Sequence, residues 1–170
     1  MKNIFKKIFK NKSKDKEKKY TNFVLPKIQN YSNIIATKDI ISFLHYGHLG
    51  DIVDSLPVLQ ELSKNKICHL YIQNEKKIPA HVQSKDHPFG NVYLTEKSIH
   101  KILPLLKEQK FLRKVEFYKE QKIDIDLNFF RELPMNFNID SVRWYSQLTG
   151  CFPDLSKNCL HVPNHPKFKN

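Results

Sequence analysis

The fold is decided by residues 40–51, which read IISFLHYGHLGD. The first five residues are nearly all apolar and favour a short strand that is buried on both faces. A turn containing Gly47 and Gly50 follows, and Asp51 can then cap or open a helix, where a carboxylate meets free backbone N–H groups. A strand, a glycine turn and a helix in this order indicate the first unit of a Rossmann-like domain.

Strand and helix signals continue to alternate along the chain after this stretch. The predicted elements are a helix over 51–62 bent by Pro57, a strand over 67–72, a long loop over 74–94, a helix from Thr95 to Leu106, strands over 115–118 and 123–127, and a helix over Val142–Thr149 that Asp140 caps and Gly150 ends. This order predicts an α/β fold for residues 38–150, a Rossmann-like, mostly parallel sheet with helices on both faces.

Charge separates this predicted domain from its flanks. The net charge is +12, but residues 1–20 hold nine Lys against two acidic residues, so 9 − 2 = +7 lies there and 12 − 7 = +5 in the rest. We therefore expect residues 1–37 to form a basic, partly disordered tail, and residues 151–170, with three prolines, an extended segment. Because the domain itself is only mildly basic, we expect no nucleic-acid partner.

The first residues of the tail have an amphipathic pattern. Ile4, Phe5, Ile8 and Phe9 would form one apolar stripe on a helix surrounded by lysines. This arrangement is typical of a helix lying on an anionic membrane surface, so residues 1–12 are a candidate membrane contact. The alternative is a solvated basic tail without function. Residues 11–19 are almost wholly polar and are expected to be disordered.

The three cysteines indicate a reducing compartment. Their odd number and irregular spacing do not form a disulfide framework, and Cys68 lies in an apolar run typical of a core thiol. Cys151, Cys159, His161 and His165 lie close in sequence, but their spacing matches no standard zinc finger, so we expect no metal. With neither a signal peptide nor an apolar spanning segment, the expected location is the cytoplasm, with peripheral attachment at the inner face of the membrane if the tail binds lipid.

The glycine turn would place backbone N–H groups at a crevice above the sheet, where open α/β sheets bind ligands. A dinucleotide site would require an acidic residue at the end of the second strand to hold a ribose. That position here reads Gln73-Asn74. We therefore expect neither a nicotinamide nor a flavin dinucleotide, and no other cofactor.

A longer pattern around this turn is more specific. Residues 49–59, LGDIVDSLPVL, resemble the opening motif of heptosyltransferase-like glycosyltransferases, and weaker likeness continues at residues 105–109, 123–127 and Phe130-Arg131. The resemblance covers residues 40–150. It implies a B-type glycosyltransferase fold, in which two Rossmann-like domains face a cleft, the N-terminal one presenting the acceptor and the C-terminal one binding the nucleotide sugar.

The resemblance also implies roles for residues. The family's Asp in the Gly-Asp motif aligns with Asp51, which would act as the base or position the acceptor, since an attacking hydroxyl must lose its proton. The alternative for Asp51 is a helix cap. The candidate acceptor-binding residues are His45, Gly47, His48, Gly50, Asp126 and Arg131. For the histidines the alternative is an ordinary loop, and for Asp126 and Arg131 a surface ion pair.

We therefore expect an acceptor-side domain of a glycosyltransferase, moving a sugar from a nucleotide sugar to a glycan or lipid-linked acceptor of the cell envelope. The chain stops at Asn170, where the linker to a donor-binding domain should begin, so it is expected to be incomplete alone and to meet a nucleotide sugar only with a second domain. The alternative is a non-catalytic Rossmann-like binding module. A weaker one is a nucleic-acid binder that uses the Lys-rich tail.

Overall fold

The structure is a computed structural model that describes residues 15, 17–79, 90–134, 136 and 138–162. The predicted amphipathic stripe of Ile4, Phe5, Ile8 and Phe9 lies outside these residues. Lys18 and Lys19 are helical, whereas disorder was predicted for residues 11–19. Within the described ranges, none of the helices has the length and apolar character needed to cross a bilayer.

The elements follow one another as the alternating pattern predicts. In chain order they are a π-helical turn (Tyr20–Val24), α1 (Leu25–Thr37), β1 (Ile40–His45), α2 (Leu49–Ser63), β2 (Ile67–Ile72), α3 (Glu96–Lys107), β3 (Leu112–Phe117), β4 (Ile125–Asp126), a 3-10 helix (Leu127–Glu132) and α4 (Val142–Thr149). The predicted bounds of β2 and α4 agree with the structure, and Gly150 ends α4 in the left-handed conformation.

The four strands form an all-parallel sheet in the order β3-β2-β1-β4, flanked by helices, which confirms the α/β prediction. Phe43 at the centre of β1 pairs with Leu70 on one side and Ile125 on the other. The predicted strand over 123–127 is wrong in length. Only Ile125 and Asp126 pair, because the chain turns at Leu127 into the 3-10 helix.

This strand order places a topological switch point between β1 and β4. The chain leaves β1 through α2 toward β2, and it later returns to the opposite side of β1 as β4. The segments that follow these two strands therefore diverge, and in open α/β sheets such a point at the carboxyl ends of the strands is where the ligand-binding crevice lies.

The core lies between the sheet and the helices. Ile41, Phe43, Cys68 and Leu70 are fully buried on one face of the sheet. The Cys68 thiol lies 3.7 Å from the Leu59 carbonyl oxygen, which places α2 over this face. Burial raises the pKa of Cys68 to about 12, so this residue is the core thiol that its apolar surroundings predict.

The folded unit begins before the predicted boundary at Lys38. Tyr31 of α1 is only 1% exposed, and its hydroxyl oxygen accepts a hydrogen bond from the Asp126 backbone N–H at 3.1 Å. Val24 is buried as well and Ile28 packs against the core, so Val24, Ile28 and Tyr31 form an apolar stripe at helical spacing. The region predicted as tail therefore contributes a helix that anchors β4.

The described part of the C-terminal segment, residues 151–162, contains no helix or strand. A buried side chain fixes its far end: Gln109 donates to the His161 carbonyl oxygen at 2.9 Å and accepts from the His161 N–H at 2.8 Å. These two hydrogen bonds satisfy the side-chain amide of Gln109, which is buried away from water.

Candidate functional site

The candidate site is the crevice at the switch point, between residues 46–51 after β1 and residues 126–132, which begin at the last residue of β4. Its first wall depends on a glycine. A Cβ on Gly47 would lie 2.6 Å from Asp51 Oδ2 and 2.9 Å from His45 Cε1, which is closer than such atoms can approach. The missing side chain at Gly47 therefore makes room for the carboxylate of Asp51.

Asp51 is the third residue of α2 and not its cap. The helix begins at Leu49 with His48 as the N-cap, and Asp51 Oδ2 accepts a hydrogen bond from the His48 backbone N–H at 3.1 Å in a capping box. The predicted helix start at Asp51 is therefore wrong by two residues. The carboxylate still lies at the positive end of the helix dipole, which stabilises its charge.

Arg131 approaches the same carboxylate oxygen from the opposite wall. Its Nη2 donates to Asp51 Oδ2 at 2.6 Å, and the two side chains are 27% and 17% exposed. Its Nη1 donates to Asn128 Oδ1 at 3.2 Å, and its guanidinium lies over the Phe130 and Tyr93 rings at 4.4 and 5.0 Å. Arg131 thus pairs with Asp51 across the crevice, and not with Asp126 as the alternative of a surface ion pair would have it.

Asp126 instead orders the second wall. Its Oδ1 accepts hydrogen bonds from the backbone and side-chain N–H groups of Asn128, both at 2.9 Å. Asn128 in turn accepts from the Tyr46 backbone N–H at 3.3 Å, and the Tyr46 hydroxyl donates to Asp126 Oδ2 at 3.5 Å. Burial and the charge of Asp126 raise the pKa of Tyr46, so this phenol stays protonated as the donor.

His45 is buried and does not line the crevice, so its predicted acceptor contact is corrected. The Gly47 N–H donates to Nδ1 at 3.0 Å, which leaves the hydrogen on Nε2. Nε2 lies 3.1 Å from the Tyr145 hydroxyl and 3.2 Å from the Asp51 carbonyl oxygen, to which Tyr145 donates at 2.8 Å. Burial lowers the pKa of His45 to about 3, so the ring is neutral and supports the turn from beneath.

The long loop borders the crevice with an aromatic ring and a lysine. The sequence analysis named no site residue in this loop. The Tyr93 ring lies 5.2 Å from the His48 ring and 6.0 Å from the Tyr46 ring. Lys76 Nζ lies 5.3 Å from the centre of the Tyr46 ring. The Lys77–Val92 bridge brings the two ends of this loop together, and no local sequence pattern identifies such a pairing.

The remaining candidates lie elsewhere or are less constrained. A Cβ on Gly50 would meet nothing within 4 Å, so this glycine is not required by packing. Cys151 lies beside the Val58 carbonyl oxygen, Cys159 lines a groove next to α2, and His161 pairs with Gln109. Among the residues that the structure describes, no group of three His, Cys, Asp or Glu side chains could hold a metal, and His165 lies outside them.

No protein-family model, curated protein or solved structure matches this chain. Function is therefore inferred from the crevice. It combines a fixed carboxylate at Asp51, the donors of Arg131 and a border of aromatic rings. Carboxylates and guanidinium groups bind hydroxyl groups, so the arrangement suits a polyhydroxylated ligand.

Proposed function

We propose that this domain binds the acceptor of a glycosyl-transfer reaction in the crevice between β1 and β4. The observation that carries the proposal is the position of the Asp51 carboxylate. It lies at the carboxyl end of the central strand, and Arg131 and the His48 N–H hold its Oδ2 from two sides. A carboxylate held in this way is oriented before the ligand arrives, which favours a defined reaction geometry.

The reaction requires a base at this place. The acceptor hydroxyl oxygen forms a bond to the anomeric carbon of the donor sugar, the bond to the nucleoside diphosphate breaks, and the hydroxyl proton must leave. Asp51 Oδ1 takes part in neither of the two bonds that fix the side chain, and it is the atom that receives the proton. General-base catalysis of this kind contributes roughly 10²–10⁴ in rate. The nucleotide sugar is held by a second α/β domain or chain.

Arg131 has a second part in this proposal. Two of its five N–H groups bond Asp51 and Asn128. The others donate to sugar oxygens, so one guanidinium both orients the base and binds the acceptor. The backbone N–H groups of Gly47 and His48 bond His45 and Asp51 and so shape the same wall, and Asp126 acts through Asn128 as a positioning residue.

A second candidate is a binding module that holds a glycan without reacting it. The observation in its favour is that the protein already neutralises Asp51 with Arg131 at 2.6 Å, as a structural ion pair does. Both candidates require glycan binding in the crevice. They differ only in whether Asp51 contributes to transfer.

Glycan binding is tested on an array of cell-envelope oligosaccharides with the full chain, Arg131→Gln and a control, Glu61→Gln. Glu61 pairs with Lys64 on the far part of α2, so its substitution changes one charge without touching the crevice. We expect a restricted set of bound glycans, lost in Arg131→Gln and kept in Glu61→Gln. Equal binding by Arg131→Gln, or no bound glycan, would overturn the proposal.

A further inference from the structure

The helix before β1 presents two exposed aromatic side chains. Tyr20 and Phe23, three residues apart in the π-helical turn, are 40% and 53% exposed. The stripe containing Val24 and Tyr31 fixes the same helix to the core. The two rings are therefore held at the boundary of the buried stripe, on a helix that is part of the folded domain.

Lysines surround this patch. Lys18, Lys19 and Lys27 are exposed beside the two rings, and Lys27 Nζ lies 5.2 Å from the centre of the Tyr31 ring. Lys18 and Lys19 are two of the nine lysines in residues 1–20, a stretch with only two acidic residues. Exposed aromatic rings within a cationic surface are the combination by which peripheral proteins bind anionic lipid headgroups.

The other exposed apolar side chains of the described residues do not form a pair of aromatic rings. Ile40 and Ile67 pair at the amino ends of their strands, Phe152 and Leu155 flank Asp154 in the C-terminal segment, and Val162 lies further along that segment. Two neighbouring exposed rings with exposed lysines on the same helix therefore make the Tyr20–Phe23 patch the surface that best fits an anionic bilayer.

We infer that Tyr20 and Phe23, with the lysines around them, form a docking surface for an anionic membrane. The rings enter the interfacial region while Lys18 and Lys27 pair with lipid phosphates. The attraction between the lysines and such a surface falls as the salt concentration rises.

The patch contacts the element that carries the crevice. Phe23 lies 5.6 Å from Phe129, and Lys19 Nζ donates to Glu132 at 2.7 Å, both within the 3-10 helix that carries Asn128 and Arg131. Docking would therefore hold the crevice beside the bilayer. If the proposed function holds, the acceptor is a lipid-linked glycan presented at that surface.

The test is co-sedimentation of the full chain with vesicles of phosphatidylcholine, alone or with about 30% phosphatidylglycerol. The variant is Tyr20→Ser with Phe23→Ser, and the control is Phe152→Ser, which removes a ring that is 75% exposed. We expect anionic vesicles to bind the full chain and Phe152→Ser equally, and the double variant roughly tenfold more weakly. Circular dichroism checks that each variant is folded.

A second variant, Lys18→Ser with Lys27→Ser, keeps the rings and lowers the charge. This variant should bind anionic vesicles more weakly than the full chain does. Its binding to neutral vesicles should equal that of the full chain. Unchanged binding by the double aromatic variant, or equal binding of the full chain to neutral and anionic vesicles, would overturn the inference. The vesicles contain no glycan, so their result stands apart from that of the glycan array.

Discussion

Arg131 donates to Asp51 at 2.6 Å across the switch point of the sheet, joining two residues that lie 80 positions apart in the chain. One partner stands in the first turn of α2, and the other in the 3-10 helix after β4. The pair therefore fixes the width of the crevice and the direction of the carboxylate together.

The strength of this pair can be measured by a double-mutant cycle with Asp51→Asn and Arg131→Met. Both side chains are less than one-third exposed, so we expect each substitution to cost about 1 kcal/mol and the coupling free energy to be about 0.5–1 kcal/mol. Urea unfolding of the four proteins provides the numbers. Strictly additive effects would show that the two groups do not interact in solution.

The two glycines of the turn should respond oppositely to alanine. Gly47→Ala places a methyl group 2.6 Å from Asp51 Oδ2, and we expect it to lower the free energy of unfolding by about 1–3 kcal/mol and to displace the carboxylate. Gly50→Ala meets open space within α2 and should raise that free energy by about 0.5–1 kcal/mol. Thermal or urea unfolding compares the pair, and a loss at both positions would contradict the geometry of the turn.

His45 should make the domain sensitive to acid. Its pKa is about 3 when folded because burial disfavours the charged ring, against a usual value of 6.5. The unfolded chain therefore binds a proton that the folded one does not, so this stability is complete above pH 6.5 and is lost as the pH falls toward 3. Between pH 7 and pH 5 the loss from this residue should be about 2 kcal/mol.

The check on His45 is urea unfolding at pH 7 and pH 5 for the full chain and His45→Gln. The variant should be less stable at pH 7, because the bonds to Gly47 and Tyr145 change. Its stability should fall less between the two pH values. An equal fall in both proteins would assign the acid sensitivity to other groups.

Gln109 should hold the C-terminal segment in place. Gln109→Ala removes both bonds to the His161 backbone and is expected to cost about 1–3 kcal/mol. Hydrogen exchange at the His161 amide should become faster in this variant. Gln147→Ala, at an exposed position of α4, is the matched control and should change neither quantity. Continued protection of the His161 amide in Gln109→Ala would contradict this assignment.

Local patterns predicted much of the fold. The runs at Ile40–His45 and Ile67–Ile72 are strands because buried parallel strands need continuous apolar residues. The left-handed stop at Gly150 follows from glycine's access to positive φ. These features depend on a few neighbouring residues, so sequence alone suffices.

The features that were missed depend on distant partners. The burial of His45 follows from Tyr145, one hundred positions away, and the Asp51–Arg131 pair follows from the early end of β4. The helix α1 lies within the predicted tail, although Val24, Ile28 and Tyr31 lie at helical spacing. This apolar periodicity lies in the sequence, but the partner that buries it, the Asp126 end of β4, lies 95 positions away from Tyr31.

The proposed role of Asp51 is tested most directly by Asp51→Asn at the native locus, with envelope glycans analysed by mass spectrometry. Asn can still accept the His48 N–H bond but cannot take a proton. Asp54→Asn is the control, since Asp54 lies one turn along α2 and accepts from Ser141 at 2.5 Å. A strain lacking the gene shows which sugar unit depends on this protein. Immunoblots show whether each variant accumulates normally.

The account predicts that Asp51→Asn and the deletion strain lack the same sugar unit, while Asp54→Asn keeps it and all variants accumulate normally. If the deletion strain lacks a sugar unit that the Asp51→Asn strain keeps, the catalytic role of Asp51 is contradicted. Complete glycans in the deletion strain itself would contradict glycosyl transfer as the function of this protein.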